Sequence, residues 1–280
     1  MKYTKIDFKF NYFDLFELAN GIFAAMSKND SGSSVSAGFF DLGNIILVFD
    51  TFLYPGGAYD LYKAIKKLYQ KDPSFIINSH YHSDHLFGNK IFPDHIPIIS
   101  TPITLEKIKE VGYDHLKYFR ETADEEIIKR KEMLKSDNPP FSEIEIYNDL
   151  EFYDYVTDSN FNLRLPNFLI KDNLIINGTR STIHLIPYSM AHTESDIIAY
   201  FPNEKICFMA DLLFSNLDDS WAPTKTGQFN AVDPLKVHKI LKSLIEKDIE
   251  IYIPGHGALS IEDAIQMNIE FINKNYIDVL

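Results

Sequence analysis

A single cysteine, Cys207, stands in a chain of 280 residues, so an intrachain disulfide is excluded and a reducing compartment is expected. Cys207 lies in the apolar run Lys205-Ile206-Cys207-Phe208-Met209 and reads as a small core residue rather than a nucleophile. No apolar run is long enough to cross a bilayer. The first residues alternate charge and aromatics (Lys2, Lys5, Asp7, Phe8, Lys9) and lack the apolar stretch of a signal peptide. A soluble, cytoplasmic protein without a membrane partner is therefore expected. Basic charge is scarce as well. Lys and Arg number 27 against 40 Asp and Glu, giving a net charge of -13 and a pI near 5.1. Such a surface repels phosphate backbones, so a small-molecule substrate is expected and nucleic acid is not.

What is present is an ordinary globular composition, 45% hydrophobic and 14% aromatic, long enough for a large core. Residues 16 to 26 read as a strand pair or as one strand with a break at Gly21. Strands follow at Val35 to Asp41 and at Ile45 to Phe49. Leu61, Ala64, Ile65 and Leu68 recur at helical spacing and predict a helix over 58 to 71. Strands over 75 to 79 and Ile96 to Ser100 come next. Residues 103 to 137 read as charged helix with a break near Thr122, stopped by Asn138-Pro139-Pro140. Residues 141 to 165 show no clear period. Strands return at 168 to 171, 174 to 177, 181 to 188, 197 to 201 and 205 to 209. A helix from Asp233-Pro234 to Leu244, a strand at Ile251 to Ile253 and a helix capped by Ser260 complete the chain. Each half has antiparallel strands, then a helix, then a strand ending in a polar loop, which suggests two βα layers packed together.

The densest chemistry is Asn78-Ser79-His80-Tyr81-His82-Ser83-Asp84-His85, directly after the apolar Phe75-Ile76-Ile77. Three imidazoles and a carboxylate within six positions are a donor set for a borderline divalent metal. A cluster in one loop needs partners from elsewhere. Four polar residues stand at the ends of apolar strands in the same way: Asp50, His192, Asp211 and His256.

Taken together, the set Asp50; His80, His82, Asp84, His85; His192; Asp211; His256 resembles the metallo-β-lactamase superfamily, in order and over residues 35 to 257. The resemblance implies an α/β fold, a four-layer αββα sandwich, in one domain over 1 to 280. It implies two divalent metal ions, zinc first and iron or manganese as alternatives. His80, His82 and His192 would hold one ion. Asp84, His85 and His256 would hold the other, with Asp211 bridging and Asp50 orienting a ligand histidine. The implied activity is that of a binuclear metallo-hydrolase using a metal-bridging hydroxide against an ester, thioester, lactone or amide carbonyl of a small molecule. Asp84 would be catalytic, passing a proton to the leaving group. The alternative is a mononuclear iron persulfide dioxygenase with the same motifs. Phosphodiesterase or nuclease activity is disfavoured by charge, and β-lactamase activity by the bridging aspartate.

His82 and His192 lie 110 positions apart, longer than in compact members of the family. Residues 102 to 165 are therefore expected to form a helical cap, with aromatics between 147 and 161 lining the pocket. A cap that only covers the sheet edge, or that makes a contact between two copies and gives a homodimer, is the other reading of this insertion. Leu212 to Phe229, with Trp221, is a second expected lid. His95, His115, His184 and His238 are expected to be structural or at the surface. Thr193-Glu194-Ser195-Asp196 departs from the small, Gly-containing sequence usual after this histidine, and Glu194 would add negative charge if it faced inward.

Overall fold

The computed structural model describes residues 3–215, 231–259 and 263–277. Two sheets lie face to face. The first holds eight strands in chain order: β1 (Thr4–Ile6), β2 (Phe13–Ala19), β3 (Ile22–Ser27), β4 (Ser36–Asp41), β5 (Ile46–Phe49), β6 (Phe75–Ile77), β7 (Ile98–Ser100) and β8 (Phe168–Leu169). Pairing is antiparallel from β1 to β5, where short turns join the strands, and parallel from β5 to β8, where helices intervene. The second sheet runs β13-β12-β11-β10-β9, from β9 (Leu174–Asn177), β10 (Thr182–Ser189), β11 (Ser195–Phe201), β12 (Ile206–Phe214) and β13 (Ile251–His256). Among the described residues its one parallel pair is β12 with β13.

The two-residue side-chain period of a strand decides which layer each residue enters. Leu47 and Phe49 point between the sheets, where Phe40 meets Phe201 and Phe208 edge to face with centroids 4.9 and 4.8 Å apart. Val48 points the other way, onto α1 (Pro55–Tyr69), whose Leu61, Ala64 and Ile65 are fully buried. Each such Leu or Ile contributes about 1.5–3 kcal/mol over an exposed one. On the far side, α6 (Pro234–Ile245) and α7 (Asp263–Ile272) cover the outer face of the second sheet through Val237, Leu241, Leu244 and Ile269. The result is the expected αββα sandwich.

The histidine loop carries a single helical turn, α2 (Ser83–Leu86). The helical insertion lies between β7 and β8 and holds α3 (Pro102–Lys107), a π-helical turn at Ile108–Gly112, α4 (Tyr113–Met133) and α5 (Glu143–Thr157). The break expected near Thr122 does not occur. Thr122 sits inside α4, its hydroxyl donating to the Tyr118 carbonyl at 2.9 Å, and the irregularity falls at the π turn. Residues 141 to 165, without a clear period in the sequence, contain α5. Ser142 caps it by accepting from the Glu145 amide at 3.0 Å, a Ser-x-x-Glu start signal. The expected Ser260 cap lies outside the described residues, and so does the expected lid beyond Ser215. No described helix is long and apolar enough to cross a membrane.

Candidate metal centre

The loop after β6 is set by buried polar pairs. Asn78 and Asn89 exchange amide hydrogen bonds at 2.9 and 3.1 Å, and Thr51 donates to Asn89 at 2.9 Å. The amide of Thr51 binds the His85 carbonyl at 2.9 Å, which ties the end of β5 to α2. Asp50, with a left-handed φ of 57°, turns its carboxylate into this junction. There it accepts from the Ser79 amide (2.8 Å), the Ser79 hydroxyl (2.7 Å) and His85 Nδ1 (2.9 Å).

From the second sheet, Asp211 comes from within β12, not after it as the apolar run ending at Met209 suggested. The β12–β13 register slips on either side of Ala210, whose φ is 44°, and this irregularity sets Asp211 into the site. Gly255 makes room for it: a Cβ there would stand 2.0 Å from Asp211 Oδ1. His192 is held by its own loop, in which Thr193 donates from its amide (3.0 Å) and hydroxyl (2.8 Å) to Asp196. Burial raises the Asp196 carboxyl to about 6 against the opposing pull of His192 and Thr193.

Seven donor atoms converge in two groups, His80, His82, His192 and Asp211 in one, Asp84, His85 and His256 in the other. In the first group His82 Nδ1 lies 3.0 Å from His80 Nε2 and 3.2 Å from His192 Nε2. Asp211 Oδ2 lies 3.3 Å from His192 Nε2 and 3.7 Å from His80 Nε2. Four donors about 2.0–2.1 Å from one tetrahedral ion stand roughly 3.3 Å from each other, so the spacing fits. In the second group Asp84 Oδ2 is 3.8 Å from His85 Nε2 and 3.6 Å from His256 Nε2. Asp211 reaches this group too, with Oδ1 3.1 Å from His85 Nε2 and Oδ2 3.3 Å from His256 Nε2. Its carboxylate thus stands between both groups, as a bridging ligand must.

Two further observations fit a metal. Among the described residues, His85 Nε2 and Asp211 Oδ1 are buried 3.1 Å apart with no aligned hydrogen bond to either, a costly state for polar atoms unless a further partner takes them. The other ring nitrogens are engaged: His80 Nδ1 with the Ser79 hydroxyl (2.9 Å), His85 Nδ1 with Asp50, and His256 Nδ1 with the Ser34 hydroxyl (3.1 Å). In all three it is Nε2 that is left to face the donor cluster.

The electrostatics agree. Burial, then neighbouring His85, holds His80 well below the ordinary imidazole range, and burial with His192 pushes His82 down to about 4. Burial alone would lower His85 and His256 too. The Asp211 and Asp84 carboxylates reverse the sign and raise both. Asp211 is driven well below its usual value, because His256, His85 and His80 outweigh its burial. Burial raises Asp50 against the pull of His85 and Ser79.

A cleft of about 650 Å³ opens beside His256. Its walls come from β2, β3 and the loop to β4, with Phe16, Met26 and Ser33 on one side and Phe214 stacked on His256 on the other (5.4 Å, 9°). The aromatics between 147 and 161 do not line it. Phe152, Tyr153 and Phe161 are buried against Tyr54 and the outer face of the first sheet, because that apolar face needs a cover beyond the reach of α1. Glu194 faces Tyr81 and pairs with Lys107 of α3 at 3.0 Å, which offsets its charge. His95, His115, His184 and His238 join neither donor group. The sequence alone does not single out Ser34 or Ser79. Nothing separates a hydroxyl beside an imidazole from any loop serine until the fold places it.

The family described as the metallo-beta-lactamase superfamily matches residues 31–256. Among solved structures, a metallo-beta-lactamase from Pontibacter korlensis superposes with a TM-score of 0.64 at 13% identity, covering 93% of this chain and 99% of that one. The DIM-1 metallo-beta-lactamase gives 0.64 at 14% identity over 95% and 99%, and TMB-1 gives 0.60 at 15% over 94% and 98%. At these identities the likeness is one of fold. No curated protein matches the chain. The match of the family over most of the chain, together with the αββα layers, assigns the protein to the metallo-β-lactamase superfamily.

Proposed function

We propose that the protein is a binuclear metallo-hydrolase acting on an ester, thioester, lactone or amide carbonyl of a small molecule. The observation that carries this reading is the convergence of seven donors, with the Asp211 carboxylate within 3.1–3.7 Å of His85, His192, His256 and His80. His80, His82 and His192 would hold one divalent ion, Asp84, His85 and His256 the other, and Asp211 both. Such ions, when bound, supply a water-derived nucleophile at neutral pH and an electrophile for the substrate oxygen. Everything else falls to the chain. Asp50, Ser79 and Ser34 fix the ring orientations of His85, His80 and His256. Asp84 has a side chain about a third exposed (32%), while Asp211 is at 4%, so Asp84 is the carboxylate that can reach a leaving group and hold its proton. The cleft wall mixes Phe16 and Phe214 with Ser27, Ser33 and Ser34, and its Asp14 is paired with Lys5 at 2.6 Å, so the surface suits an uncharged acyl group with hydrogen-bonding substituents.

The test is metal analysis of the purified protein followed by a screen of ester, thioester, lactone and amide substrates. Two ions per chain and turnover abolished by a chelator support the reading. One iron per chain with oxygen uptake on a persulfide would replace it with the dioxygenase.

A further inference from the structure

The loop joining β3 to β4 carries Asn29, Ser33 and Ser34 into the cleft wall. Its last residue, Val35, forms an isolated antiparallel bridge with His256, and Ser34 Oγ lies 3.1 Å from His256 Nδ1. The loop therefore touches both the substrate space and a metal-facing histidine. Within the loop the Lys28 carbonyl holds Ser31 N at 3.1 Å and Ser31 Oγ holds Ser33 N at 3.2 Å, while at its base Lys28 N binds the Tyr12 carbonyl at 3.0 Å and the Ser27 hydroxyl meets Ser33 Oγ at 2.9 Å and the Val35 carbonyl. Loops so placed are ordinarily among the mobile parts of a fold.

Here three successive residues are held from outside, all at one helix. Ser142, the cap of α5, donates to the Asp30 carbonyl at 2.8 Å. Asn148, in the middle of α5, donates its amide to the Ser31 carbonyl at 2.7 Å. Gly32 is packed so closely under Glu145 and the Tyr54 hydroxyl that a Cβ would stand 2.9 and 3.2 Å from them. The Tyr54 hydroxyl in turn donates to Asp149 of α5 at 2.6 Å. Asn148 is buried and Ser31 fully so, which makes their bond one that water cannot replace. A polar side chain in the buried stripe of α5 has no packing advantage over Leu, but its amide is the donor that this carbonyl needs.

We infer that α5 of the insertion is the positioning element of the cleft loop and that Asn148 is its positioning residue. By fixing Ser31 it sets Ser33 and Ser34 in the cleft wall, and through Ser34 it orients His256. The insertion acts on the site from behind, through a loop it holds, without contributing to the cleft surface. Holding the loop in advance lowers the ordering cost of each binding event. The effect on His256 rests on the reading of that residue as a metal ligand; the restraint on the loop does not.

Hydrogen exchange on the metal-free protein tests the restraint. In Asn148→Ala and in Asn148→Leu, which keeps side-chain volume without a donor, amides 28 to 35 should exchange about tenfold faster, the weight of one buried hydrogen bond. Strand amides of β5 and β12 should not change. Ser142→Ala, at a half-buried position, should show a smaller rise confined to residues 29 to 31, and it keeps the test open if the Asn148 variants fold poorly. Unchanged exchange in the loop, or a Leu variant that behaves as wild type, would overturn the proposal. Cobalt titration then tests the link to His256. Asn148→Leu and Ser34→Ala should weaken the second cobalt about tenfold, the low end for a residue orienting a ligand, and alter its visible bands, with the first cobalt unaffected. Equal weakening of both ions would contradict that link. If the wild-type protein took up no cobalt, the proposed function and the His256 link would both fail, while the exchange result would still decide the restraint.

Discussion

Asp50 accepts from His85 Nδ1 at 2.9 Å, and both side chains are completely buried. The bond fixes the His85 ring so that Nε2 points at Asp211, 3.1 Å away. Removing it should loosen metal at the second group directly and at the first group less, because Asp50 reaches the first only through the Ser79 hydroxyl on His80. Asp50→Ala is expected to weaken one of two metal-binding steps by about 10–100-fold, measured by competition with a chromophoric chelator. Equal weakening of both steps would contradict this division.

Metal uptake should depend on pH with a definite sign. Asp211 and Asp84 raise His85 and His256 despite burial, so in the metal-free protein both imidazoles hold protons more tightly than free histidine does. Ions must displace those protons, and affinity should therefore fall as pH decreases. In the metal-free protein the sign is opposite. The raised histidines contribute stability that is present in full below the unfolded histidine range and is lost as pH rises through their folded values. Calorimetry in buffers of different ionisation enthalpy should record net proton release on binding. A proton count of zero or net uptake would be inconsistent with this account.

Gly255→Ala should damage the centre without touching a ligand. The new Cβ would lie 2.0 Å from Asp211 Oδ1 and 2.6 Å from the Ala210 carbonyl carbon. Overpacking of this kind costs about 1–3 kcal/mol in stability, and here it also displaces the one carboxylate shared by both groups. Thermal melts with and without metal should show a lower midpoint and a smaller metal-induced rise than in wild type.

Cys207 should be unreactive in the folded protein. It is fully buried in β12, and burial raises its thiol above the ordinary range, so almost no thiolate exists at neutral pH. Labelling by a thiol reagent should proceed only as the protein unfolds, accelerating with denaturant. Rapid labelling under native conditions would contradict the packing.

The donor set is legible in the sequence because imidazoles and carboxylates at the ends of apolar strands seldom serve the core. The unbroken apolar run through Leu47, Val48 and Phe49 likewise marks a strand buried on both faces. Helix α5 is hidden for a physical reason. Its buried stripe includes Asn148 and large aromatics, and Tyr147 is exposed, so no clean helical period shows. The Ser142 to Glu145 cap is the available signal. Asp211 is misplaced by its surroundings: β12 runs on to Phe214 because Leu212 and Leu213 continue the buried strand past the carboxylate. The cleft wall is illegible, since Phe16, Met26 and Ser34 come together only when β2, β3 and the end of β13 meet.

The central claim is that one carboxylate, Asp211, joins two metal-binding groups. Metal content of wild type and of Asp211→Ala, measured side by side with turnover of whichever substrate the screen identifies, tests it most directly. Two ions per wild-type chain, no more than one in the variant, and turnover reduced at least about a hundredfold are expected, as for loss of a group that acts in the reaction. Two ions and full activity in Asp211→Ala would contradict it.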